Sequence, residues 1–323
     1  MKTPVRLGPA AITPGVCVLL LSAQVAFGGL EKYSSFVVAD KDAHASGASG
    51  AIRVTYLGVN GFQFETDGHA LLVDPYFTRI GLWSAALNQQ IESSTARVTE
   101  GLDHVRPRID AILVTHAHFD HLIDVPEIMR RTQAKLFAGE TAVHLTESLG
   151  ILPNQCDTVR PGTTRKIGPW KIRVLPAEHD RLFGKVPFER CPKPSGTAKR
   201  PLKVSDWCVG EPLAFVIEAA GKRIYIDSGG VPNGPSLSRI KHVDLAILGV
   251  ALPDSRQRFV EVVRQMRPRY TLPSHQDDMF GPPSHGFIFG KMTNFPQLAR
   301  EYERERLPGR LILLDYFHPW TLR

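Results

Sequence analysis

The chain alternates between short apolar and polar runs from Ile52 onward, with turn residues between the runs. Three early runs have the two-residue period of strands, and turns at Gly58–Gly61 and Asp67-Gly68 separate them. These runs are Ile52–Leu57, Phe62–Glu65 and Ala70–Val73. The pattern predicts an antiparallel meander.

A second set of elements follows the meander. The apolar run Ala111–Thr115 is typical of a buried strand, and helical spacing follows at Val125–Arg131 and Thr141–Leu149. Further strands are predicted at Lys171–Leu175, Leu213–Glu218, Arg223–Asp227, Leu245–Leu248, Tyr270–Leu272 and Arg310–Leu314. Helical spacing also occurs at Ser255–Met266 and Asn294–Arg304. Strands followed by helices, twice over, predict two central sheets with helices outside, a layered α/β sandwich.

The amino-terminal segment has the pattern of an export signal. Lys2 and Arg6 precede an uncharged stretch whose most apolar part is Val16–Phe27, and small residues end it. This predicts a secretory signal peptide, residues 1–28, cleaved after Gly28. The alternative is an uncleaved membrane anchor, through which the chain would contact a membrane. Either reading predicts an exported protein, periplasmic or secreted.

Two segments interrupt the element pattern. Residues 29–50 are rich in Ser, Gly and Ala, which predicts a flexible linker before a domain at 51–323. Residues 180–211 are rich in proline and predict an inserted loop. In an oxidising compartment Cys191 and Cys208 could close a disulfide across this loop, which leaves Cys156 as a buried free thiol.

Composition places the chain among ordinary globular proteins. It has 323 residues, 43% of them hydrophobic, and a formal net charge of +7. The basic residues are spread along the chain, so we expect small anionic or lipid-like partners and no nucleic acid.

The strongest chemical signal is the cluster His116, His118, Asp120 and His121 at the end of an apolar strand. Imidazole and carboxylate groups are the ligands that suit zinc or a similar divalent ion. Without a cation, so many polar groups at a buried strand end would be hard to satisfy. The cluster therefore predicts a metal site.

In this motif the chain resembles the metallo-β-lactamase superfamily, whose signature is His-x-His-x-Asp-His. Four further residues follow probable strands in the order that the family shows, namely Asp74, His179, Asp227 and His275. The resemblance covers most of residues 51–323 and implies a four-layer αββα sandwich.

The resemblance also implies a ligand set for two divalent metal ions. One ion would be held by His116, His118 and His179. The second would be held by Asp120, His121 and His275. Asp227 would bridge the two ions. Asp74 would orient the metal ligands without contacting the ions. Zinc is the default metal from the ligand types, and Mn²⁺ or Fe²⁺ accept the same ligands.

The implied chemistry is hydrolysis by a hydroxide that the two ions share, with Asp120 holding the hydroxide in line. The elements around Asp74, Asp124 and His275 look like those of ascorbate-6-phosphate lactonases and N-acylphosphatidylethanolamine phospholipase D-like hydrolases. We therefore expect a phosphodiester, phospholipid or lactone substrate.

The inserted loop begins directly after His179 and supplies candidate substrate contacts. Arg181 and Lys185 could meet an anionic head group if the loop covers the metals. The same residues also fit a solvated loop that a disulfide holds. His285 is a further candidate for the same cleft.

Two other functions remain open. A mono-iron persulfide dioxygenase or a glyoxalase II-like thioesterase also shows His-x-His-x-Asp-His, although glycine is common in those enzymes where this chain has Asp124. The diiron oxygen-reductase branch fits less well, because His118 stands where that branch has glutamate. A binding protein that kept the fold without turnover is the third candidate. The intact ligand positions favour the hydrolase.

Overall fold

The computed structural model describes residues 29–41, 50–191, 202–229, 237, 240–253, 255–293 and 295–323. The predicted signal peptide, residues 1–28, lies outside these residues, and so does its cleavage position. None of the described helices combines the length and apolar content that a membrane crossing requires.

The strands form two large sheets. In chain order they are β1 (Ile52–Gly58), β2 (Gly61–Thr66), β3 (His69–Val73), β4 (Gln90–Ile91), β5 (Ala111–Leu113), β6 (Lys135–Ala138), β7 (Cys156–Thr158), β8 (Thr164–Ile167), β9 (Trp170–Pro176), β10 (Leu202–Lys203), β11 (Leu213–Ala219), β12 (Lys222–Ile226), β13 (Leu245–Gly249), β14 (Tyr270–Ser274), β15 (Arg310–Leu311) and β16 (Trp320–Leu322). The first sheet has the order β16-β1-β2-β3-β5-β6-β7, the second has the order β15-β14-β13-β12-β11-β9-β8, and β4 pairs with β10. Strands β1, β2 and β3 pair antiparallel, which confirms the predicted meander.

Helices cover the outer faces of both sheets. In chain order the described α-helices are α1 (Leu82–Ala86), α2 (Thr95–Leu102), α3 (Phe119–Leu122), α4 (Val125–Thr132), α5 (Glu140–Ser148), α6 (Ser255–Met266) and α7 (Phe295–Arg304). Short 3₁₀ turns lie at Leu30–Tyr33, Pro153–Gln155, Val204–Asp206 and Pro283–His285. The helices predicted near 125, 141, 255 and 295 are confirmed.

Alternating side chains of the first sheet build two apolar cores. Successive residues of a strand point to opposite faces. Leu71 therefore packs between the sheets, whereas Leu72 packs against the helices. Leu113 and Ile112 on β5 divide in the same way. Val262 of α6 packs onto the other side of the second sheet. The predicted four-layer αββα sandwich is confirmed.

The topology brings the carboxyl ends of several strands to one edge. Strands β3, β5 and β6 are parallel, and so are β12, β13 and β14. Strand β9 runs in the direction of β12, because both are antiparallel to β11. The loops that follow β3, β5, β9, β12 and β14 therefore emerge at the same edge of the sandwich, which we call the ligand edge.

The prediction of a flexible linker at 29–50 is wrong for residues 29–41. Leu30 is buried, and the Tyr33 ring packs edge-on against Phe295 at a centroid distance of 4.9 Å. The amide of Val38 donates to Leu313, and Asp40 accepts from the amide and hydroxyl of Thr321. Aromatic and backbone contacts thus hold residues 29–41 on the domain, and Phe36 and Val37 also pack against its core. Residues 42–49 lie outside the described residues.

The inserted loop carries local structure and a disulfide. Its described residues are 180–191 and 202–211, and they include β10 and the turn Val204–Asp206. Cys191 and Cys208 are bonded, at a sequence separation of 17. Cys156 is a free thiol, half-buried. These findings confirm the cysteine pairing that the spacing suggested.

Replacing both Cys191 and Cys208 by Ser is expected to lower the free energy of unfolding by about 3 kcal/mol, because the disulfide restricts the unfolded chain. Urea unfolding under non-reducing conditions measures the change. Cys156→Ser is the control and should shift the midpoint much less. A double variant as stable as the wild type would contradict a native disulfide.

Candidate metal centre

The ligand edge gathers all seven residues that the resemblance assigned to metal binding. His116 and His118 follow β5, whereas Asp120 and His121 lie on the short helix α3. The other three, His179, Asp227 and His275, follow β9, β12 and β14. Residues far apart in the chain meet here because the parallel strands end together.

His116, His118 and His179 form the first potential ligand set. One nitrogen from each ring lies within 4.8 Å of the others. The other ring nitrogens have partners, because His118 Nε2 lies 3.0 Å from the Pro187 carbonyl and His179 Nδ1 lies 2.7 Å from that of Asp180. His116 Nδ1 contacts the Thr115 hydroxyl at 3.2 Å. These contacts leave Nε2 of His116, Nδ1 of His118 and Nε2 of His179 as the converging nitrogens.

The environment keeps this set uncharged. Burial and the neighbouring imidazoles lower the pKa of His118 to about 3 and that of His179 to about 4, and hold the pKa of His116 well below its usual value. Yet His116 Nε2 and His118 Nδ1 lie only 3.0 Å apart. Neutral nitrogens that face one another at this distance fit a shared cation.

Asp120, His121 and His275 form the second set, again within 4.8 Å. Asp120 Oδ2 lies 3.0 Å from His275 Nε2 and 3.3 Å from His121 Nε2. Burial disfavours the protonated form of His121 and lowers its pKa. The carboxylates of Asp120 and Asp74 stabilise that form more strongly, so the pKa of His121 rises to about 10. Although burial disfavours its charge, His121 and His275 hold the pKa of Asp120 well below its usual range. The His116 and His121 ring centroids are 4.0 Å apart, so the two sets are adjacent.

Asp227 has a buried carboxylate with spare ligand capacity. Its Oδ1 accepts from the amides of Gly249 at 3.0 Å and Gly229 at 3.2 Å. Its Oδ2 makes no hydrogen bond of normal geometry within the described part of the chain, although the Tyr225 hydroxyl interacts with the carboxyl group. Burial raises the pKa of Asp227 to about 6 despite the two amides. A buried carboxylate oxygen without a full partner fits a metal ligand.

Asp74 holds the second ligand set in place through hydrogen bonds, without belonging to the set. Its Oδ2 accepts from His121 Nδ1 at 2.8 Å and from Asn60 Nδ2 at 2.8 Å, whereas Oδ1 accepts from the Thr115 amide at 2.8 Å. Asp74 itself adopts a left-handed backbone conformation with φ 41°. Strain of this kind persists where surrounding contacts enforce it. The contact with His121 directs Nε2 of that ring toward Asp120.

Replacing Asp74 by Asn is expected to weaken metal affinity about 10- to 100-fold, the usual effect of losing the carboxylate behind a ligand histidine. Competition with a chromophoric zinc chelator measures the change. Asp110→Asn is a matched control, because Asp110 accepts from His69 Nδ1 at 2.9 Å outside the two ligand sets. Equal losses of metal affinity in both variants would contradict the role of Asp74 in orienting His121.

A comparison with known protein families decides the identity of the fold. The model of a β-lactamase superfamily domain matches residues 53–275. The chain belongs to the metallo-β-lactamase superfamily.

Relatives in this superfamily are named as hydrolases. A UPF0173 metal-dependent hydrolase of Polynucleobacter asymbioticus is 30% identical to this chain over 204 residues. The matched region covers 60% of this chain and 62% of that protein, so the match spans less than two thirds of the relative's length. A UPF0173 metal-dependent hydrolase of Carboxydothermus hydrogenoformans is 25% identical over 231 residues, 69% of this chain and 84% of that protein. Igni18, a metallo hydrolase from Ignicoccus hospitalis, shares the fold with a TM-score of 0.57 at 18% identity, covering 84% of this chain and 99% of that one. Family and relatives support a metal-dependent hydrolase, and these names specify no substrate.

On this superfamily scaffold a covering loop, residues 180–191, reaches the first ligand set. Besides the Pro187 carbonyl on His118, the Phe188 ring lies 6.1 Å from the His118 ring. The loop is held by the Cys191–Cys208 disulfide and by the Val209 amide, which donates to the Phe188 carbonyl at 3.1 Å. The sequence placed this loop near the metals but held no signal for the Pro187 contact.

The predicted substrate contacts lie farther out. Arg181 and Lys185 are exposed on the covering loop, and His285 is exposed on the turn Pro283–His285. Within the described residues no recorded contact joins these three side chains to the ligand sets. A separate cavity of about 480 Å³ opens beside Pro283 and Phe317, and its lining contains no predicted metal ligand. The structure therefore does not bring His285 to the metal centre.

Sequence analysis did not predict the buried ion pair between Arg79 and Asp277, which lies two residues after His275 in the chain. Asp277 accepts from both terminal guanidinium nitrogens of Arg79 at 3.3 Å, and also from the Tyr56 and Tyr316 hydroxyls at 2.8 and 2.6 Å. Its carboxylate also accepts from the Val59 amide at 3.0 Å, and the Val59 carbonyl accepts from the His275 amide at 2.6 Å. Asp277 lies two residues after the predicted ligand His275, whereas its partners at positions 56, 79 and 316 follow no local sequence pattern.

Proposed function

We propose that this chain is a dinuclear metal-dependent hydrolase that acts on a phosphodiester, phospholipid or lactone. The observation that carries the proposal is the pairing of two adjacent ligand sets, one of neutral imidazoles and one that includes a carboxylate. His116, His118 and His179 would hold one ion, and Asp120, His121 and His275 would hold the other. Asp227 would bridge them through its unfilled oxygen.

When bound, two divalent ions supply a nucleophilic hydroxide at neutral pH and Lewis acids for the substrate oxygens. The chain's own groups supply orientation. Asp120 stays ionised at neutral pH because His121 and His275 stabilise its charge, so it can accept a hydrogen bond from the attacking water and hold that water in line. The backbone carbonyls of Pro187 and Asp180 keep His118 and His179 turned toward the centre.

Substrate would enter from the side of His179, whose ring is half-buried while the other histidines of the two sets are buried. A narrow opening there is lined by Glu178, Pro212 and Ser228. Arg181 and Lys185 lie beyond it on the covering loop and would attract an anionic group. The resemblance to lactonases and phospholipase D-like hydrolases supports the same substrate classes.

Elemental mass spectrometry on protein purified without chelators tests the metal content first. About two zinc or manganese ions per chain, with hydrolysis of bis(p-nitrophenyl) phosphate or of a phospholipid or lactone in a substrate panel, would support the proposal. One iron per chain and oxygen-dependent turnover would replace it with the mono-iron dioxygenase. Loss of metal in the His116→Ala variant would show that the ions bind at this centre. A wild-type protein that takes up no metal would contradict the proposed hydrolase.

We also propose that the chain is exported. The charged start and apolar centre of residues 1–28 support this, and so does the Cys191–Cys208 bond, because such bonds form and persist in oxidising compartments. Cell fractionation with amino-terminal sequencing tests it. Recovery of the uncleaved chain in the cytosol, with both thiols reduced, would contradict export.

A further inference from the structure

Most of the large apolar side chains that remain exposed lie in segments that follow strands ending at the ligand edge. Among the described residues they are Trp83, Leu87, Leu152, Phe183, Phe188 and Ile288. All of them except Leu152 lie in segments that follow β3, β9 or β14, whose carboxyl ends carry the candidate metal centre. Leu152 precedes β7 and so lies at the opposite edge, since β7 is parallel to β6. Apolar exposure on one side of a protein marks an interaction surface.

Phe183 is the most exposed of these residues and occupies an unfavourable backbone position. Leu182 and Lys185 exchange hydrogen bonds of 2.9 and 3.2 Å, which closes a two-residue hairpin with Phe183 and Gly184 at its tip. Both tip residues have positive φ, 51° for Phe183 and 78° for Gly184. Turns of this kind favour Asn or Gly, and Phe has no polar side chain that offsets the strain. With 76% of its surface exposed, Phe183 gains no packing in the isolated chain.

Trp83 lies on the short helix α1, which has no buried residue, and Leu87 directly follows the helix. They are 65% and 60% exposed and four residues apart, so they share one helical face. Both ends of this segment are held firmly, because Asp124 accepts from the Phe77 amide at 2.6 Å and from the Ser93 hydroxyl at 2.6 Å. The exposed pair therefore sits on an ordered support.

A strand pair joins the segment of Trp83 and Leu87 to the inserted loop, which also carries Phe183 and Phe188. Strand β4, just after Leu87, pairs with β10 of the inserted loop. The residues around Phe183 are basic, since Arg181, Lys185 and Arg190 are exposed and Glu189 alone opposes them in residues 181–190. We call Trp83, Leu87, Phe183 and Phe188, with these three basic residues, the edge surface.

We propose that the edge surface docks on an anionic lipid bilayer. Aromatic and aliphatic tips flanked by Arg and Lys are the chemistry of interfacial binding, in which rings enter the headgroup boundary and cations meet anionic lipids. Docking would present the metal centre to the lipid surface, because Phe188 also approaches His118. The proposal concerns binding and does not depend on the hydrolysis proposed above.

Quenching of tryptophan emission by lipids brominated on their acyl chains tests the docking in the full chain. Vesicles that contain phosphatidylglycerol should quench the emission, and pure phosphatidylcholine vesicles should not. Trp83→Phe should abolish the quenching, because Trp170 and Trp207 are buried and the half-buried Trp320 packs on Tyr270, which begins β14 and so lies at the opposite edge. The first 28 residues contain no tryptophan. Binding through the amino-terminal segment alone thus cannot produce the signal.

Variants at the hairpin tip complete the test. Phe183→Ser should weaken vesicle affinity about tenfold, as expected for an aromatic side chain that leaves the interface. Leu152→Ser is the matched control, since Leu152 is 62% exposed at the opposite edge, and it should bind like the wild type. Asp120→Asn should also bind normally, which separates docking from catalysis. Equal affinities for the Phe183 and Leu152 variants would overturn the proposal, as would a dimer in light scattering that Phe183→Ser dissolves.

Discussion

Replacing Asp120 by Asn is expected to lower kcat by about 10²- to 10⁴-fold, the range that a positioned acid or base contributes. Asp120 touches both His121 and His275 through Oδ2 and is ionised at neutral pH. Asn keeps the size of the side chain and removes the charge. Steady-state hydrolysis of the best phosphodiester or lactone substrate measures the loss.

The same variant must keep its fold and be measured for metal, because Asp120 is also a candidate ligand. If kcat falls while one ion per chain is lost, Asp120 acts mainly as a ligand of the second set. If kcat falls at full metal content, Asp120 acts on the water. Asp110→Asn again serves as control, and unchanged turnover in Asp120→Asn would contradict both roles.

The ligand residues could be predicted because each follows an apolar run that ends in a polar side chain. Ala111–Leu113 leads into His116, and β14, buried at four of its five residues, leads into His275. Local pattern locates strand ends, and parallel strands place their carboxyl ends together. The superfamily resemblance then assigned these residues to two sets, and the structure brings both sets together.

Features that depend on distant partners escaped prediction. Strand β16 has three residues, too few for a periodic signal, and its pairing partner β1 lies more than 250 residues earlier in the chain. Residues 29–41 were assigned to a linker because Ser, Gly and Ala are frequent in residues 29–50, yet Tyr33 packs on Phe289 and Phe295. The Pro187 carbonyl that orients His118 is a backbone group, which no side-chain pattern reports.

The same limit explains why Arg79 was missed as the partner of Asp277. Arg79 is separated from it by 198 residues and itself has positive φ of 55°. Its guanidinium packs where a side chain at position 58 would lie, so Gly58, with φ 96°, is required there. A single glycine and a single arginine carry little signal alone, although together with Asp277 they define a buried network.

Replacing Asp277 by Ala is expected to lower the free energy of unfolding by about 3–5 kcal/mol, because it leaves the Arg79 charge buried without its partner. Both side chains of this pair are essentially inaccessible to solvent. The Tyr56 and Tyr316 hydroxyls and the Val59 amide lose an acceptor in the same step. Urea unfolding measures the change.

Asp157→Ala is the matched control, because its ion pair with Arg165 is partly exposed. Exposed pairs contribute about 0–1 kcal/mol, so the control should change little. A loss in Asp277→Ala no larger than that of the control would contradict the role of the buried pair. Asp277→Asn keeps one acceptor oxygen but removes the charge that balances Arg79, so it should lose part of the same stability and also weaken metal binding at the second set. The reason is that His275, in a left-handed conformation with φ 55°, is held through Val59 by this network.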